Sequence, residues 1–246
     1  MYAQPMAASV PNEPAAGPVT GVPWTPKDLL YGFLLWFAAI AVALLIGLLL
    51  LQTSQSLALA VAESVAEAAL ILPVWLVAVR KYRLTWKDVG LRGFSWGLLG
   101  LGCLGLAVFY LFNLCYASLL AVFNLQVEPQ LIQQMGNSTQ ALPLLIAGLF
   151  VAPISEELFF RGFLYAGLRE RIGVAWAAIL SAGLFSLAHV TPTAIPSLFV
   201  IGLIFALLYE RGRSIWPSAI MHTTINVIGL LAAYFVANYL PVPGLP

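Results

Sequence analysis

Two adjacent glutamates and one arginine interrupt an otherwise apolar stretch, Pro153–Gly162. On a helix, Glu157 and Arg161 are four residues apart with the acid first, which is the favourable order for an ion pair. Glu156 is turned about 100° away from that pair. A carboxyl group without an ionic partner is suited to exchange a proton with a substrate as a general base or acid. The stretch therefore predicts a neutralised pair beside a reactive carboxyl, Glu156.

The two histidines of the chain belong to similar polar stripes. His189 follows Phe185 by four residues and His222 precedes Asn226 by four, so each pair shares one face of a helix. A carboxylate, two imidazoles and an amide can together activate water and donate hydrogen bonds to an oxyanion. We expect Glu156, His189, His222 and Asn226 to form one catalytic set.

Composition places this chemistry inside a membrane. Of the 246 residues, 61% are hydrophobic and only 9% are charged, whereas a soluble domain carries about 25% charge. Residues 29–62 contain no charged residue and no histidine, and about 20 apolar residues span a bilayer. The net charge of +1 gives no reason to expect a nucleic-acid partner. The chain is predicted to be an all-α polytopic bundle in contact with membrane lipids.

About seven spans are predicted, and the turn after the fifth could instead be re-entrant, because prolines flank it. The spans are placed near residues 29–51, 57–79, 96–124, 142–167, 173–190, 194–209 and 215–239. The Pro- and Ala-rich segment 1–26 is predicted to be a flexible tail. Residues 27–141 form N-terminal spans and 142–239 a catalytic core, within one structural domain.

Positive charge is distributed asymmetrically over the ends of these spans. Ten of the eleven Lys and Arg residues fall on one side of a seven-span arrangement, the eleventh is Arg161 within a span, and the opposite side has none. The positive-inside rule therefore predicts a cell-membrane protein with a cytoplasmic N-terminus and a C-terminus on the far side.

The ordered motifs Glu156-Glu-x-x-x-Arg161, Phe185-x-x-x-His189 and His222-x-x-x-Asn226 resemble those of the CAAX protease and bacteriocin-processing (CPBP) family of intramembrane endopeptidases. The resemblance implies hydrolysis of a peptide bond in a membrane-associated protein or peptide, which enters from the bilayer or the cytoplasmic side. It implies that Glu156 takes a proton from water and that His189 helps to position this water. It further implies that His222 and Asn226 donate to the oxyanion.

In the same resemblance, Glu157 and Arg161 hold the constellation together and Phe185 supports it. No cofactor is expected. Zinc is the alternative, with Glu156, His189 and His222 as its ligands, because catalytic zinc takes three protein ligands of these types. The chain has no His-Glu-x-x-His helix and asparagine is a poor zinc ligand, so the metal-free mechanism is favoured.

Two other carboxyls, Glu63 and Glu67, lie four residues apart in the second span. Glu63 could reach the membrane interface while the deeper Glu67 is protonated or paired, or both could belong to a proton or ion path. A proton-coupled transporter is therefore one alternative function, and an inactive membrane scaffold is another. The chain has no internal repeat of the kind that transporters use.

Depth along the spans leaves one discrepancy. At about 1.5 Å per residue, Glu156 and Asn226 lie about 18 Å from the basic ends of their spans and His222 about 12 Å. His189 lies about 25 Å from its basic end, nearer the far side. Helix tilt, a fifth span that begins above the membrane, or a re-entrant turn at Pro192 and Pro196 could bring His189 to the others.

Overall fold

The computed structural model describes residues 21–52, 55–127 and 147–239, and every regular element in these ranges is helical. The α-helices are α1 (Pro26–Leu50), α2 (Gln55–Ala68), α3 (Ile71–Pro73), α4 (Gly97–Val122), α5 (Ala152–Glu156), α6 (Ala166–Ala188), α7 (Ile195–Gly212) and α8 (Trp216–Tyr239). Three segments have the wider turns of a π-helix: π1 (Val74–Arg80), π2 (Ala147–Val151) and π3 (Glu157–Tyr165).

Six helical stretches of the described chain are long and apolar enough to cross a membrane. One of them, residues 148–188, is 41 residues long, about twice the length that a bilayer requires. It is broken at Gly173, whose φ of 76° is left-handed. The chain reverses there, since Ser181 donates to the Phe160 carbonyl at 2.9 Å. This stretch supplies two antiparallel arms, in agreement with the prediction of about seven spans.

The outer surface of the bundle is apolar. On α1, Leu34, Phe37, Leu44 and Leu48 are each more than half exposed, while small or aromatic residues of the same helix face inward. Exposed apolar area of this extent is stable only in contact with lipid. The chain is therefore a multi-pass membrane protein.

Basic residues from separate connections meet acidic partners where spans end. Lys81 pairs with the buried Asp28 at the start of α1, and this hydrogen bond raises the pKa of Lys81. Glu210, near the end of α7, accepts from Arg169 at 2.8 Å and from Arg213 at 3.2 Å. The Lys81–Asp28 and Arg169–Glu210 pairs each join the ends of two spans, and the Arg213–Glu210 pair joins α7 to the turn that follows it. These pairs therefore fix the positions of the span ends relative to one another.

Trp24 lies within the predicted tail but is fully buried. Its indole donates to the Phe163 carbonyl at 3.1 Å, and its own carbonyl accepts a hydrogen bond from Arg171. Trp24 thus belongs to the packed bundle, because a single large aromatic ring can dock without any apolar run that the sequence would reveal. Residues 1–20 of the predicted tail and residues 142–146 of the predicted core lie outside the described ranges.

Cysteine labelling tests the predicted orientation. Lys87 and Leu125 are exposed and lie at opposite ends of α4. In a variant without Cys103 and Cys115, we expect an impermeant thiol reagent applied to intact cells to label Leu125→Cys but not Lys87→Cys. The connection after α4 is predicted to lie on the far side of the membrane, and its residues 128–141 lie outside the described ranges. Leu125 is therefore the position chosen to report on that side. Equal labelling of both positions would contradict the seven-span topology.

Candidate active site

Arg161 and Glu157 form a fully buried ion pair on π3. Arg161 Nη1 lies 2.8 Å from Glu157 Oε1, and neither side chain is exposed to solvent. Arg161 Nη2 also donates to the Gly202 carbonyl on α7 at 3.2 Å. The guanidinium carbon lies 4.5 Å from the centre of the Phe185 ring and 5.1 Å from that of Phe205. The arginine therefore joins π3, α6 and α7, as a cation stacked on two rings.

Gly202 has no side chain where α7 approaches α6 most closely. A Cβ at this position would lie 2.9 Å from the Cβ of Ala182, a distance that real side chains do not tolerate. The close approach brings the Gly202 carbonyl to the arginine, so this glycine is required for the geometry of the ion pair.

Glu156 is the last residue of α5 and is turned away from the arginine. Its carboxyl is buried and lies beside His222, whose Nε2 is 3.7 Å from Glu156 Oε2. The other ring nitrogen of His222, Nδ1, is 3.4 Å from Glu157 Oε1. The imidazole thus stands between Glu157, which pairs with Arg161 as its spacing predicts, and Glu156.

His189 is the residue at which α6 ends. Its Nδ1 lies 2.9 Å from the Phe185 carbonyl, and a carbonyl oxygen can only accept, so Nδ1 carries the proton. In the neutral ring, Nε2 then holds the lone pair. The His189 and Phe185 rings are 4.8 Å apart, and Phe185 also meets the His222 ring at 5.8 Å. Phe185 therefore links the two histidines by direct contact.

Asn226 lies one turn after His222 on α8 and is held by π2. Its Nδ2 donates to the Gly148 carbonyl at 2.7 Å. A side-chain amide has two N–H donors, so this bond uses one of them and fixes the direction of the second. The carbonyl that orients Asn226 could not be identified from the sequence, because backbone acceptors leave no residue-type signal.

One cavity of about 930 Å³ joins all four predicted catalytic residues. Glu156, His189, His222 and Asn226 line it together with many apolar side chains. Its size lies at the upper end of the usual range for ligand pockets. His189, at the end of α6, thus borders the same space as the three other residues.

The structure also brings Glu67 of α2 to this cavity. Glu67 and Glu156 both line it, and Oε2 of each is buried without a hydrogen-bond partner among the described residues. The sequence marks Glu67 only as a carboxyl in a span, since Glu156 is 89 positions away. Phe205, which contacts both Arg161 and the His222 ring, has no sequence signal beyond its apolar character.

The alternative zinc ligands can be compared with the placed side chains. Among the described residues, no three His, Cys, Asp or Glu side chains converge in a way that could hold a metal ion. The three predicted ligands, Glu156, His189 and His222, therefore do not form a metal-binding group as they are placed here.

These observations define a helical membrane protein in which a buried glutamate and a buried histidine share a cavity with a partly buried asparagine. The family model described as "Type II CAAX prenyl endopeptidase Rce1-like" matches residues 138–228, a segment that contains every predicted site residue. The resemblance to the CPBP family that the motifs predict is thereby confirmed as a similarity over this segment.

Two named bacterial proteins are similar to the chain. "Putative membrane peptidase YdiL" of Bacillus subtilis (strain 168) is 30% identical over 121 residues, which cover 48% of this chain and 50% of that protein. "UPF0177 protein YxdF" of Lactococcus lactis subsp. lactis (strain IL1403) is 27% identical over 164 residues, covering 63% of this chain and 90% of that protein. The chain thus spans about half the length of the first relative. No solved structure matches it significantly.

Proposed function

We propose that this protein is an intramembrane endopeptidase that hydrolyses a peptide bond with water activated by Glu156. The observation that carries the proposal is the division between the two adjacent glutamates. Arg161 neutralises Glu157 at 2.8 Å. No Lys or Arg side chain of the described residues pairs with Glu156, which lines the cavity beside His222. A carboxylate without a counter-ion can take the proton of a water molecule.

Each of the other side chains of the site has its own role in the reaction. Water attacks the carbonyl carbon of the peptide bond while one of its protons moves to Glu156. His222 Nε2 and the second N–H of Asn226 stabilise the oxyanion that forms, and His189 Nε2 accepts a hydrogen bond from the water. The carbon–nitrogen bond then breaks, and Glu156 passes its proton to the leaving amine.

The substrate is a membrane-associated protein or peptide that enters from the bilayer or from the cytoplasmic side. The cavity lining is mainly apolar, which favours an extended hydrophobic segment over a charged one. The proposed location is the cell membrane, with the N-terminus in the cytoplasm. This orientation follows from the ten basic residues predicted for one side.

Cleavage by the purified protein tests the proposed function. The full chain in lipid vesicles, incubated with a library of fluorogenic hydrophobic peptides, is expected to release fragments with new termini that mass spectrometry identifies. Turnover that is proportional to protein concentration would support the proposal. Complete absence of cleavage of peptides and membrane-protein substrates by folded protein would contradict it.

Removal of metal distinguishes the metal-free mechanism from the zinc alternative. We expect extensive chelation to leave turnover within about twofold, and elemental analysis to find well under one zinc per chain. The reason is that the placed donors do not converge on one ion. Stoichiometric zinc, with activity that chelators abolish and zinc restores, would instead make Glu156, His189 and His222 ligands.

Substitution of Asn226 by Ala tests the oxyanion role separately. We expect kcat to fall by about 10²–10³, the size of effect found when one oxyanion donor is lost. Asn238→Ala is the control on the same helix, because Asn238 is exposed and bonds only within its own turn. An unchanged kcat for Asn226→Ala would exclude this amide as a donor.

A further inference from the structure

The connections at the basic ends of the spans close one side of the bundle. Val89 and Gly90, between π1 and α4, lie against π3, and a Cβ at Gly162 would be only 2.2 Å from the Val89 carbonyl oxygen. The Ile215 amide, between α7 and α8, donates to the Gly90 carbonyl at 3.0 Å. Val89 and Ile215 are fully buried, and neither lines the cavity. Together with the buried Trp24, these residues form a packed floor beneath the site.

The cavity lies in the half of the bundle away from this floor. On α4 its lining begins at Phe109, 12 positions after the helix starts at Gly97, which is about 18 Å along the helix axis. On α6 the lining begins at Phe185, in the last turn of that helix. On α8 it continues to Val236, close to the helix end at Tyr239. The space beside the catalytic set thus extends toward the ends of the spans that lack basic residues.

Helices α4 and α8 pack closely near the floor and against different neighbours farther along. A Cβ at Gly102 of α4 would be 2.8 Å from Met221 Cγ of α8. In the opposite half, Asn113 of α4 accepts a hydrogen bond from Ser197 of α7 at 2.5 Å, while Asn226 of α8 donates to π2 at 2.7 Å. Among the described residues, no hydrogen bond joins α4 to α8. The cavity occupies the space where these two helices separate.

The cavity opens to the outer surface between α4 and α8. Ala117 of α4 and Ala232 of α8 line the cavity and are also exposed, and the cavity-lining Ile228 is 41% exposed. Residues that border a cavity and are exposed lie at its mouth, so Ala117, Ile228 and Ala232 define the mouth. The neighbouring Leu114 and Leu231 are each more than 60% exposed. The mouth therefore faces the apolar surface that contacts lipid.

We propose that the substrate enters sideways through this mouth, as a hydrophobic segment already inserted in the half of the bilayer away from the basic ends. This inference rests on the proposed function and selects the bilayer from the two routes named there. A peptide arriving from the basic side would have to displace the buried floor. A segment that passes from lipid into a mainly apolar cavity exposes no apolar surface to water, so its transfer has little hydrophobic cost.

Bulky substitutions at the mouth test the route by activity. Ala117→Trp narrows the opening, so we expect kcat/KM for a fluorogenic hydrophobic peptide dissolved in the vesicle bilayer to fall by about tenfold or more, within the range over which association rates vary among related variants. Ala232→Trp narrows it from the other helix and should have the same effect. Ala107→Trp is the matched control, because Ala107 is exposed on α4 but does not line the cavity. Equal loss in Ala107→Trp, or parental kcat/KM in both mouth variants, would overturn the proposal.

Thiol labelling provides a readout that does not depend on activity. In a variant without Cys103 and Cys115, Ala233→Cys places a thiol on the cavity wall, since Ala233 is buried and lines the cavity. We expect bilayer-soluble N-phenylmaleimide to label it, and Ala117→Trp to slow this labelling by about tenfold or more. An impermeant sulfonated maleimide should not label it in vesicles whose outer face exposes Lys87→Cys. Labelling of Ala233→Cys by that reagent as fast as Lys87→Cys, or an unchanged rate in Ala117→Trp, would overturn the proposal.

The two measurements also separate this inference from the proposed function. A parent protein that shows the expected labelling pattern but cleaves nothing would retain the lateral mouth and remove the protease role. A parent that cleaves peptides, with Ala117→Trp and Ala232→Trp equally active, would retain the protease role and remove the mouth as the entrance.

Discussion

Glu156→Gln is expected to lower the rate of peptide cleavage by at least about 10³-fold, near the upper end of what a general base contributes. The amide has the shape of the carboxylate and fills the same space. It cannot accept a proton from water, so the chemical step fails while the packing is retained. The measurement is single-turnover cleavage by the purified variant in vesicles, together with its thermal unfolding.

Glu170→Gln is the matched control for this prediction. Glu170 pairs with Arg169 in a partly exposed position, away from the cavity, and the same exchange there should leave cleavage within about twofold. Substantial activity in Glu156→Gln would mean that another group takes the proton of water. Loss of folding in Glu156→Gln would instead mark Glu156 as a structural residue.

Arg161→Ala is expected to destabilise the protein by about 3–5 kcal/mol, since removing one partner of a buried ion pair leaves the other charge uncompensated. The loss is larger than that of a surface pair, because Arg161 has no exposed area. It also bonds to the Gly202 carbonyl and stacks on Phe185 and Phe205. The measurement is the unfolding midpoint in a denaturant series in mild detergent, with yield and cleavage measured alongside.

Arg211→Ala is the control for this loss, because Arg211 is exposed at the end of α7 and its removal should change stability by less than about 1 kcal/mol. Replacing both partners, as Arg161→Met with Glu157→Leu, should recover much of the stability, because no buried charge is then unpaired. An Arg161→Ala variant as stable as Arg211→Ala would show that the pair contributes no net stability.

Local features of the chain were predicted from the sequence with good accuracy. The spans follow from the lengths of uncharged apolar runs, and the Glu157–Arg161 contact follows from four-residue spacing on one element. The reversal at Gly173 agrees with the predicted boundary between two spans, because the charged residues 169–171 mark the turn. Each of these features depends on residues within a few turns of one another.

Contacts between residues that are far apart in the chain could not be predicted from the sequence. Glu67 of α2 lines the same cavity as Glu156, and the Gly148 carbonyl orients Asn226 from another segment. Helical periodicity states which face a residue occupies, but it does not state which other helix that face meets. The same limit applies to His189, which lines the same cavity as Glu156 although counting along its own span places it nearer the far side.

The sequence by itself determined that this chain is a multi-pass helical membrane protein with the motifs of the CPBP family. Burial of charge in lipid is so costly that the few intramembrane polar residues are conspicuous in composition and spacing alone. The tertiary structure alone decided which of these residues share a cavity and which partner each has. These relations depend on how helices pack, and in a membrane that packing is governed by close contacts between small and polar groups rather than by any periodic signal.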